Sequence, residues 1–232
     1  MNNLKDYRDK ELKLYIIANI FLILAICNGE SYTEADKVIN YIKNINEFLN
    51  LSLILGFLSI ITFLFDSIYS SNAKSKLLNI FGIIKEPGEK IFTKLLNNNY
   101  KDNRINYNDV LIIYKDIKDN LANINDKKEK RNFENTQWYN IYHNYKNVDM
   151  IFNSNRDYLL CRDLFIASFN ITIIYIIFSV VFRLIMFSWI YIAVIVILGV
   201  LSNIATHVKA NRLVYNVITH DMAEKSKCNN SN

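Results

Sequence analysis

The chain has 232 residues, of which 51% are hydrophobic and 21% are charged, with a net charge of +5. These averages conceal three uncharged stretches of 18, 19 and 23 residues, at residues 48–65, 164–182 and 184–206. A helix needs roughly 20 apolar residues to cross a bilayer core of about 30 Å. The composition therefore excludes an ordinary water-soluble enzyme and indicates a membrane protein.

Turn-forming residues are scarce, with only five Gly and one Pro, and this favours long helices. We predict an all-α membrane protein with four transmembrane helices, arranged as two plus two around a helical cytoplasmic insert. The predicted segments are a two-span hairpin, a cytoplasmic helical domain, and a second two-span hairpin with a cytoplasmic tail, at residues 1–70, 71–161 and 162–232.

The first predicted span, residues 14–27, is only 14 residues long, a length at which many apolar runs do not cross a membrane. Its charged start also resembles a signal peptide, and Cys27 resembles a lipoprotein cleavage site. The bulky Ile26 stands where such a site needs a small residue, so a retained span is the expectation and a signal peptide the alternative.

Lys and Arg are distributed unevenly around these runs and accumulate on the cytoplasmic side of membrane proteins. Four precede residue 14, two lie in residues 28–47, sixteen in residues 66–163, one is Arg183, and four follow residue 206. We therefore expect an inner-membrane protein with both termini and the central domain in the cytoplasm.

In the central block, apolar periodicity predicts helices at residues 73–81, 89–96, 109–123 and 134–148. The breaks between them are a turn at Glu86-Pro87-Gly88, a polar loop at residues 97–108, and a charged break at residues 126–131. The last two spans are expected to turn near residues 183–188, with Trp189 and Tyr191 in an interfacial aromatic belt.

Small and polar residues recur at helical spacing in two spans. They are Ser52, Gly56, Ser59, Thr62 and Asp66 in the second span and Ser168, Thr172, Tyr175 and Ser179 in the third span. Such stripes pack membrane helices together or line a water-filled path in an oligomer. Asp, Glu, Lys and Arg are absent from the middle of all four runs, which counts against a proton pump or coupled transporter.

Two features of the central block are candidates for binding a ligand or partner. The first is a basic cluster that suits a nucleotide, RNA or anionic lipid, or is simply a solvated loop: Lys127, Lys128, Lys130 and Arg131. The second is an aromatic group around Trp138 and His143 that suits base stacking or simple packing near a bilayer surface.

A third candidate is a juxtamembrane motif just before the third span: Asn155, Arg156, Asp157, Tyr158, Arg162 and Asp163. Charges at a helix entrance anchor headgroups, clasp a neighbouring subunit or hold a ligand. We expect the arginines to pair with these aspartates or with counterparts on a neighbouring helix.

Enzyme motifs are absent from the sequence, which lacks the phosphate-binding, dinucleotide-binding, nucleophile-elbow and zinc-protease patterns. The three His residues are widely separated, at positions 143, 207 and 220, without the spacing of a metal pair. We therefore expect no catalytic residue, no metal and no cofactor.

Two short motifs resemble a family of uncharacterised bacterial membrane proteins with two spans, a cytoplasmic insert and two further spans. One is Pro87-Gly88-Glu89-Lys90-Ile91, early in the insert. The other precedes the third span and consists of Phe152, Asn155, Tyr158, Arg162, Asp163 and Leu164. Asp163 replaces the Asn usual in the family, and Leu159 replaces a Gly.

Proteins of this shape resemble membrane effectors of bacterial antiviral systems. The resemblance implies a protein that oligomerises on an infection signal and opens or disrupts the inner membrane, gated through its cytoplasmic domain. The expected partners are membrane lipid, further copies of the chain, and a cytosolic defence partner or nucleotide ligand, with no direct DNA binding. The alternative is a non-catalytic membrane anchor that scaffolds a cytosolic nuclease or sensor.

Overall fold

The computed structural model describes residues 4–27, 60, 68–78, 87–183 and 187–230. These residues form helices joined by loops, with no strand among them, which confirms the prediction of an all-α fold. The predicted second span apart from residue 60, the loop at residues 28–47 and the turn residue Glu86 lie outside this part of the chain.

The α-helices of the described part range in length from six to 42 residues. In chain order they are α1 (Leu4–Cys27), α2 (Ser71–Leu78), α3 (Ile91–Leu96), α4 (Tyr107–Ile113), α5 (Lys115–Asn123), α6 (Lys127–Tyr145), α7 (Asp149–Ile176) and α8 (Trp189–Asn230). A π-helical turn, Ile177–Val181, extends α7, and the Phe182 N–H donates to the Ile177 carbonyl.

Two stretches of the described chain are long and apolar enough to cross a membrane, Asp149–Val181 and Trp189–Lys227. Helix α1 covers the predicted first span as one helix of 24 residues, but it is not among these two. Four spans, the cytoplasmic insert and the orientation therefore stay predictions. Helix α8 also begins at Trp189, five residues later than the predicted fourth span.

Four predicted elements differ from the structure. The charged break at residues 126–131 was a wrong prediction, because α6 begins at Lys127 and the Asp126 carboxylate accepts from the Lys128 and Glu129 amides. The predicted helix at residues 109–123 is divided at Tyr114, whose side chain is buried. The loop before it ends at Asn106, which caps α4 through the Asn108 amide. Helix α3 begins at Ile91 because Lys90 adopts a left-handed conformation with φ of 64°.

The chain forms two compact units. Unit 1 comprises Met1–Leu77 and Leu159–Ile204, and unit 2 comprises Leu78–Tyr158 and Ala205–Asn232. Helices α7 and α8 each contribute residues to both units. The predicted segment boundaries at residues 70 and 161 stay predictions.

Unit 1 has an apolar core built from α1, α7 and α8. Its buried members are Leu12, Ile16, Ile23, Ala167, Ile171, Tyr175, Tyr191 and Ile195. Tyr15, Leu22, Leu164, Phe178 and Ile192 pack against them. The apolar run of α1 therefore contributes one face to a helical core.

Unit 2 is assembled around α3, which contacts α4, α5 and α6. The Phe92 ring lies edge-on to the Tyr114 ring, with centroids 5.2 Å apart. The second half of α8 adds further buried apolar side chains to this unit: Leu213, Val214, Val217, Ile218 and Met222. The residues predicted to form a cytoplasmic tail thus belong to a packed helix.

Candidate functional site

The third-span stripe lies inside unit 1. Ser168, Tyr175 and Ser179 are buried and Thr172 is half-buried. The hydroxyls of Ser168, Thr172 and Ser179 donate to the carbonyls of Leu164, Ser168 and Tyr175 at 2.7–2.9 Å. Each of these hydroxyls is therefore satisfied by its own helix.

Neighbouring helices approach this stripe closely. The Tyr15 hydroxyl lies 2.6 Å from the Ser168 hydroxyl, and a Cβ placed on Gly199 would lie 3.5 Å from the Ser168 Cβ. The Tyr175 hydroxyl accepts from the Ser188 amide at 2.7 Å. Within one chain the stripe is thus in contact with α1 and α8, which supports the packing alternative for these residues.

Ser52, Gly56, Ser59, Thr62 and Asp66 of the second-span stripe lie outside the described residues.

The two aromatic residues near the hairpin turn differ in exposure. Trp189 is 76% exposed, as a residue of an interfacial belt would be, whereas Tyr191 is fully buried. The interpretation of Tyr191 as an interfacial residue was wrong, because its ring packs on Tyr175 with centroids 4.5 Å apart.

The juxtamembrane motif is divided between the units. In unit 2, Asp157 pairs with Arg156 at 3.2 Å and with Lys209 of α8 at 2.9 Å. Asn155 is half-buried and Tyr158 is buried. The pairing of Arg156 with Asp157 is therefore between neighbours in the sequence. Lys209, which the sequence analysis did not single out, is the second partner of Asp157.

In unit 1, the motif ends in a buried ionic group. The Asp163 side chain is 1% exposed and lies 3.0 Å from the Arg162 guanidinium and 3.8 Å from the Lys74 ammonium. Arg162 and Lys74 are themselves 12% and 10% exposed. The expected pairing of Arg162 with Asp163 is present, with Lys74 of α2 as an additional partner.

The basic cluster occupies the first turns of α6. Lys127 and Lys128 are exposed, and Lys130 and Arg131 are half-buried. The Asp126 carboxylate occupies the amides at this helix end. These four side chains therefore stand on a helix whose Lys128 and Glu129 amides are already bonded to Asp126. A ligand here would bind the charged side chains and not these two amides.

Trp138 is 2% exposed and cannot stack on an external base, which corrects that interpretation for this residue. Its ring stacks on Tyr142 with centroids 5.5 Å apart. Burial raises the pKa of Tyr142. His143 is exposed, with its Nε2 3.2 Å from the Lys146 ammonium.

Gly88 packs against Trp138 in unit 2. A Cβ at residue 88 would lie 2.8 Å from the Trp138 Cβ and 2.8 Å from Asn135 Oδ1, so this position has no room for a side chain. The turn at Pro87-Gly88 is thereby held against α6.

A buried carboxylate of α6 caps the helix that follows this turn. Glu134 is 1% exposed, and its two oxygens accept from the Thr93 amide at 2.9 Å and the Thr93 hydroxyl at 2.5 Å. Lys90 gives α3 no side-chain cap. Glu134 therefore supplies across the fold the acceptor that a local cap usually supplies.

A second buried carboxylate, Asp221 of α8, lies in the same unit. It accepts from the Tyr114 hydroxyl at 2.8 Å, the Tyr145 hydroxyl at 3.4 Å and the Lys225 ammonium at 2.9 Å. Burial, followed by the charge of Asp221, raises the pKa of Tyr114 well above its ordinary value. The His220 ring lies edge-on to Tyr145, with centroids 4.8 Å apart.

A polar chain attaches the loop at residues 97–106 to α7 and α8. Arg104 donates to Asn216 at 3.0 Å, and the Asn216 amide donates to the Ser154 hydroxyl at 2.7 Å. Hydrogen bonding from Arg104 lowers the pKa of Asp102. The sequence analysis did not single out Glu134, Asp221 or Asn216, because their partners Thr93, Tyr114 and Arg104 are 41, 107 and 112 residues away.

The described residues contain no group of His, Cys, Asp and Glu suited to a metal ion. The site residues therefore form two kinds of group, a buried hydroxyl stripe in unit 1 and charged, hydrogen-bonded cores in unit 2. No protein-family model, curated protein or solved structure matches this chain.

Proposed function

We propose that the protein is an oligomeric membrane effector of a bacterial antiviral defence system, which opens or disrupts the inner membrane when its helical unit 2 is engaged. A cytosolic defence partner or a nucleotide is the proposed trigger. The antiviral role rests on the resemblance of two short motifs alone. Membrane insertion has independent support.

The observation that carries the proposal is an apolar face of α8. Only 28% of its apolar window is buried within the chain, against 50% for α7. The exposed residues recur at helical spacing: Trp189, Ile190, Val196, Ile197, Val200, Leu201, Ile204 and Val208. A contiguous exposed apolar face marks an interaction with lipid or protein, and its length matches a bilayer core.

Membrane insertion is tested by placing a charge on this face. Ile197→Arg should lower the insertion of α8, because Arg at the centre of a span costs about 2.5–3.5 kcal/mol on insertion scales. Insertion is measured by the accessibility of single cysteines placed at either end of α8, since the stretch Asp149–Val181 can hold the chain in the membrane by itself. Ile197→Leu is the matched control and should insert as the wild type does. Equal insertion of α8 in both variants would contradict a lipid-facing α8.

Membrane disruption is tested with a potential-sensitive dye in cells that produce the protein and are then infected with phage, which supplies the infection trigger. Wild type should depolarise the cells, and Ile197→Arg should not. A flat signal from membrane-inserted wild type in infected cells would contradict the effector proposal.

A second candidate function, the membrane anchor, is favoured by the buried third-span stripe, whose hydroxyls are satisfied within the chain. An anchor predicts no depolarisation and a cytosolic partner that copurifies with unit 2. Lys128→Glu with Arg131→Glu should release such a partner, because both side chains lie at the start of α6. Lys118→Glu on α5 is the control.

A further inference from the structure

Unit 1 contains buried polar atoms that the described residues leave without a hydrogen bond. Two of them are Asn19 Oδ1 on α1 and the Tyr191 hydroxyl on α8. Their residues are 3% and 0% exposed. A buried polar group without a partner destabilises the fold, and lipid offers it no hydrogen bond.

These two side chains belong to one polar set. The Tyr15 hydroxyl lies 2.6 Å from the Ser168 hydroxyl, and the Asn19 amide donates to the Tyr15 carbonyl, one turn earlier on α1, at 2.9 Å. Tyr191 packs on Tyr175, with ring centroids 4.5 Å apart. Tyr175 in turn accepts from the Ser188 amide, in the connection that precedes α8.

The set extends along the helix axis. Ser168 and Tyr175 are seven residues apart, which is about 10 Å at the rise of an α-helix. That is roughly a third of a bilayer core. The polar side chains therefore reach from the interior of unit 1 to Ser188, in the segment that joins α7 to α8.

We propose that Tyr15, Asn19, Ser168, Tyr175 and Tyr191 form a water-accessible polar track inside unit 1 of a single chain. The inference rests on the proposed membrane function and gives it a path within each subunit rather than between subunits. Water suits the two unused atoms, because it donates to Asn19 Oδ1 and accepts from the Tyr191 hydroxyl.

Simple packing accounts for only part of this set. The Ser168 hydroxyl is satisfied by Leu164 and Tyr15, and such bonds serve helix association. Phenylalanine at residue 191 would fill nearly the same volume without a buried hydroxyl. The Tyr191 hydroxyl and Asn19 Oδ1 are the two atoms that packing leaves unexplained.

The test measures water access by cysteine labelling of the full-length protein in liposomes, with Cys27, Cys161 and Cys228 replaced by Ala. A charged methanethiosulfonate reacts with the thiolate, which forms only where water or charge supports it. Tyr191→Cys should react at least about tenfold faster than Ile195→Cys, because a thiol pKa that is lower by one unit gives about tenfold more of the reactive thiolate. Ile195 is the matched control because it is equally buried in the same core, one helical turn away.

Equally slow labelling of both variants would mean a dry interior and would overturn the track, and equally fast labelling would mean general opening and would also overturn it. If Tyr191→Cys does not fold, Asn19→Cys against Ile16→Cys on α1 gives the same comparison. Labelling does not depend on depolarisation, so a dry interior in a depolarising protein removes the track and leaves the effector proposal standing.

Discussion

The two units bury polar side chains in different ways. In unit 2, the carboxylates of Glu134 and Asp221 accept hydrogen bonds from residues that are distant in sequence. In the apolar part of unit 1, Ser168, Thr172 and Ser179 bond to carbonyls of their own helix. Bonds of the first kind exist only after the unit has folded, whereas bonds of the second kind form with the helix itself.

This difference matches the two surroundings that the proposed function requires. A helix in lipid must satisfy its polar groups before it meets a neighbour, and hydroxyls that bond to the previous turn do so. In a domain in water, a charged group exchanges its water contacts for new partners when the fold brings those partners together. Neutral local bonds in unit 1 and charged distant bonds in unit 2 are therefore the expected outcome.

The largest expected effect tests the exception to this comparison, the buried ionic group of unit 1. Arg162→Ala leaves Asp163 without its nearer partner, and breaking a buried pair costs about 3–5 kcal/mol. Lys74 remains, so we expect the low end of that range in the free energy of unfolding, measured in mixed micelles. Lys128→Ala, at an exposed position of α6, should leave the free energy of unfolding unchanged. Equally small losses of stability in both variants would show that the ionic group merely contacts headgroups.

The second effect concerns the distant cap in unit 2. Glu134→Ala removes the acceptor for both the Thr93 amide and hydroxyl, and hydrogen bonds to a charged group contribute about 1.5–3 kcal/mol. We expect faster amide hydrogen exchange in α3 and a loss of stability of that size. Glu129→Ala, an exposed residue of the same helix, is the control. Unchanged exchange in α3 would refute the capping role.

Two glycine substitutions sharpen the comparison directly. Gly88→Ala should destabilise unit 2 by about 1–3 kcal/mol, because its Cβ would overlap Trp138 and Asn135. Gly199→Ala should be neutral or stabilise by up to about 1 kcal/mol, because Ala is the better helix former and the nearest atom lies 3.5 Å away. The measurement is the thermal unfolding temperature of both variants. A decrease in both variants, or an increase in both, would contradict the expected difference between the two positions.

The last comparison makes the same substitution in both units, and the smallest measurable loss of stability is expected for its member in unit 1. Tyr15→Phe removes a neutral bond to Ser168, and such bonds average about 0.6 kcal/mol in membrane proteins. Tyr114→Phe removes a bond to a buried carboxylate and should cost about 1.5–3 kcal/mol. If Tyr15→Phe proved the more destabilising of the two, the proposed contrast between the interiors would not hold.

The sequence was sufficient for features that depend on local pattern. Apolar length identified the stretches that became α7 and α8, and the scarcity of Gly and Pro predicted helices. The signal for the start of α6 was also present, because Asp126 followed three residues later by Glu129 is a capping pattern. The density of charge at Lys127–Arg131 hid it, since a solvated loop and an exposed first helical turn have the same composition.

Features that depend on distant partners were not predictable. Glu134 resembles any surface glutamate until Thr93 is placed beside it, and Tyr191 resembles a belt residue until Tyr175 covers it. Amides in the middle of apolar runs are visible in the sequence, as at Asn19 and Asn170. The contact between Tyr15 and Ser168 was not, because it forms only when α1 packs on α7.

Unit 2 has a consequence for the order of events during synthesis. Its interior includes Leu213, Val217 and Ile218, which the ribosome makes after the apolar stretches of both α7 and α8. Unit 2 therefore cannot close until both of those stretches have been synthesised. A nascent chain arrested before residue 213 would carry α3 to α6 with an open apolar side, and would be a substrate for chaperones and proteases rather than a working domain.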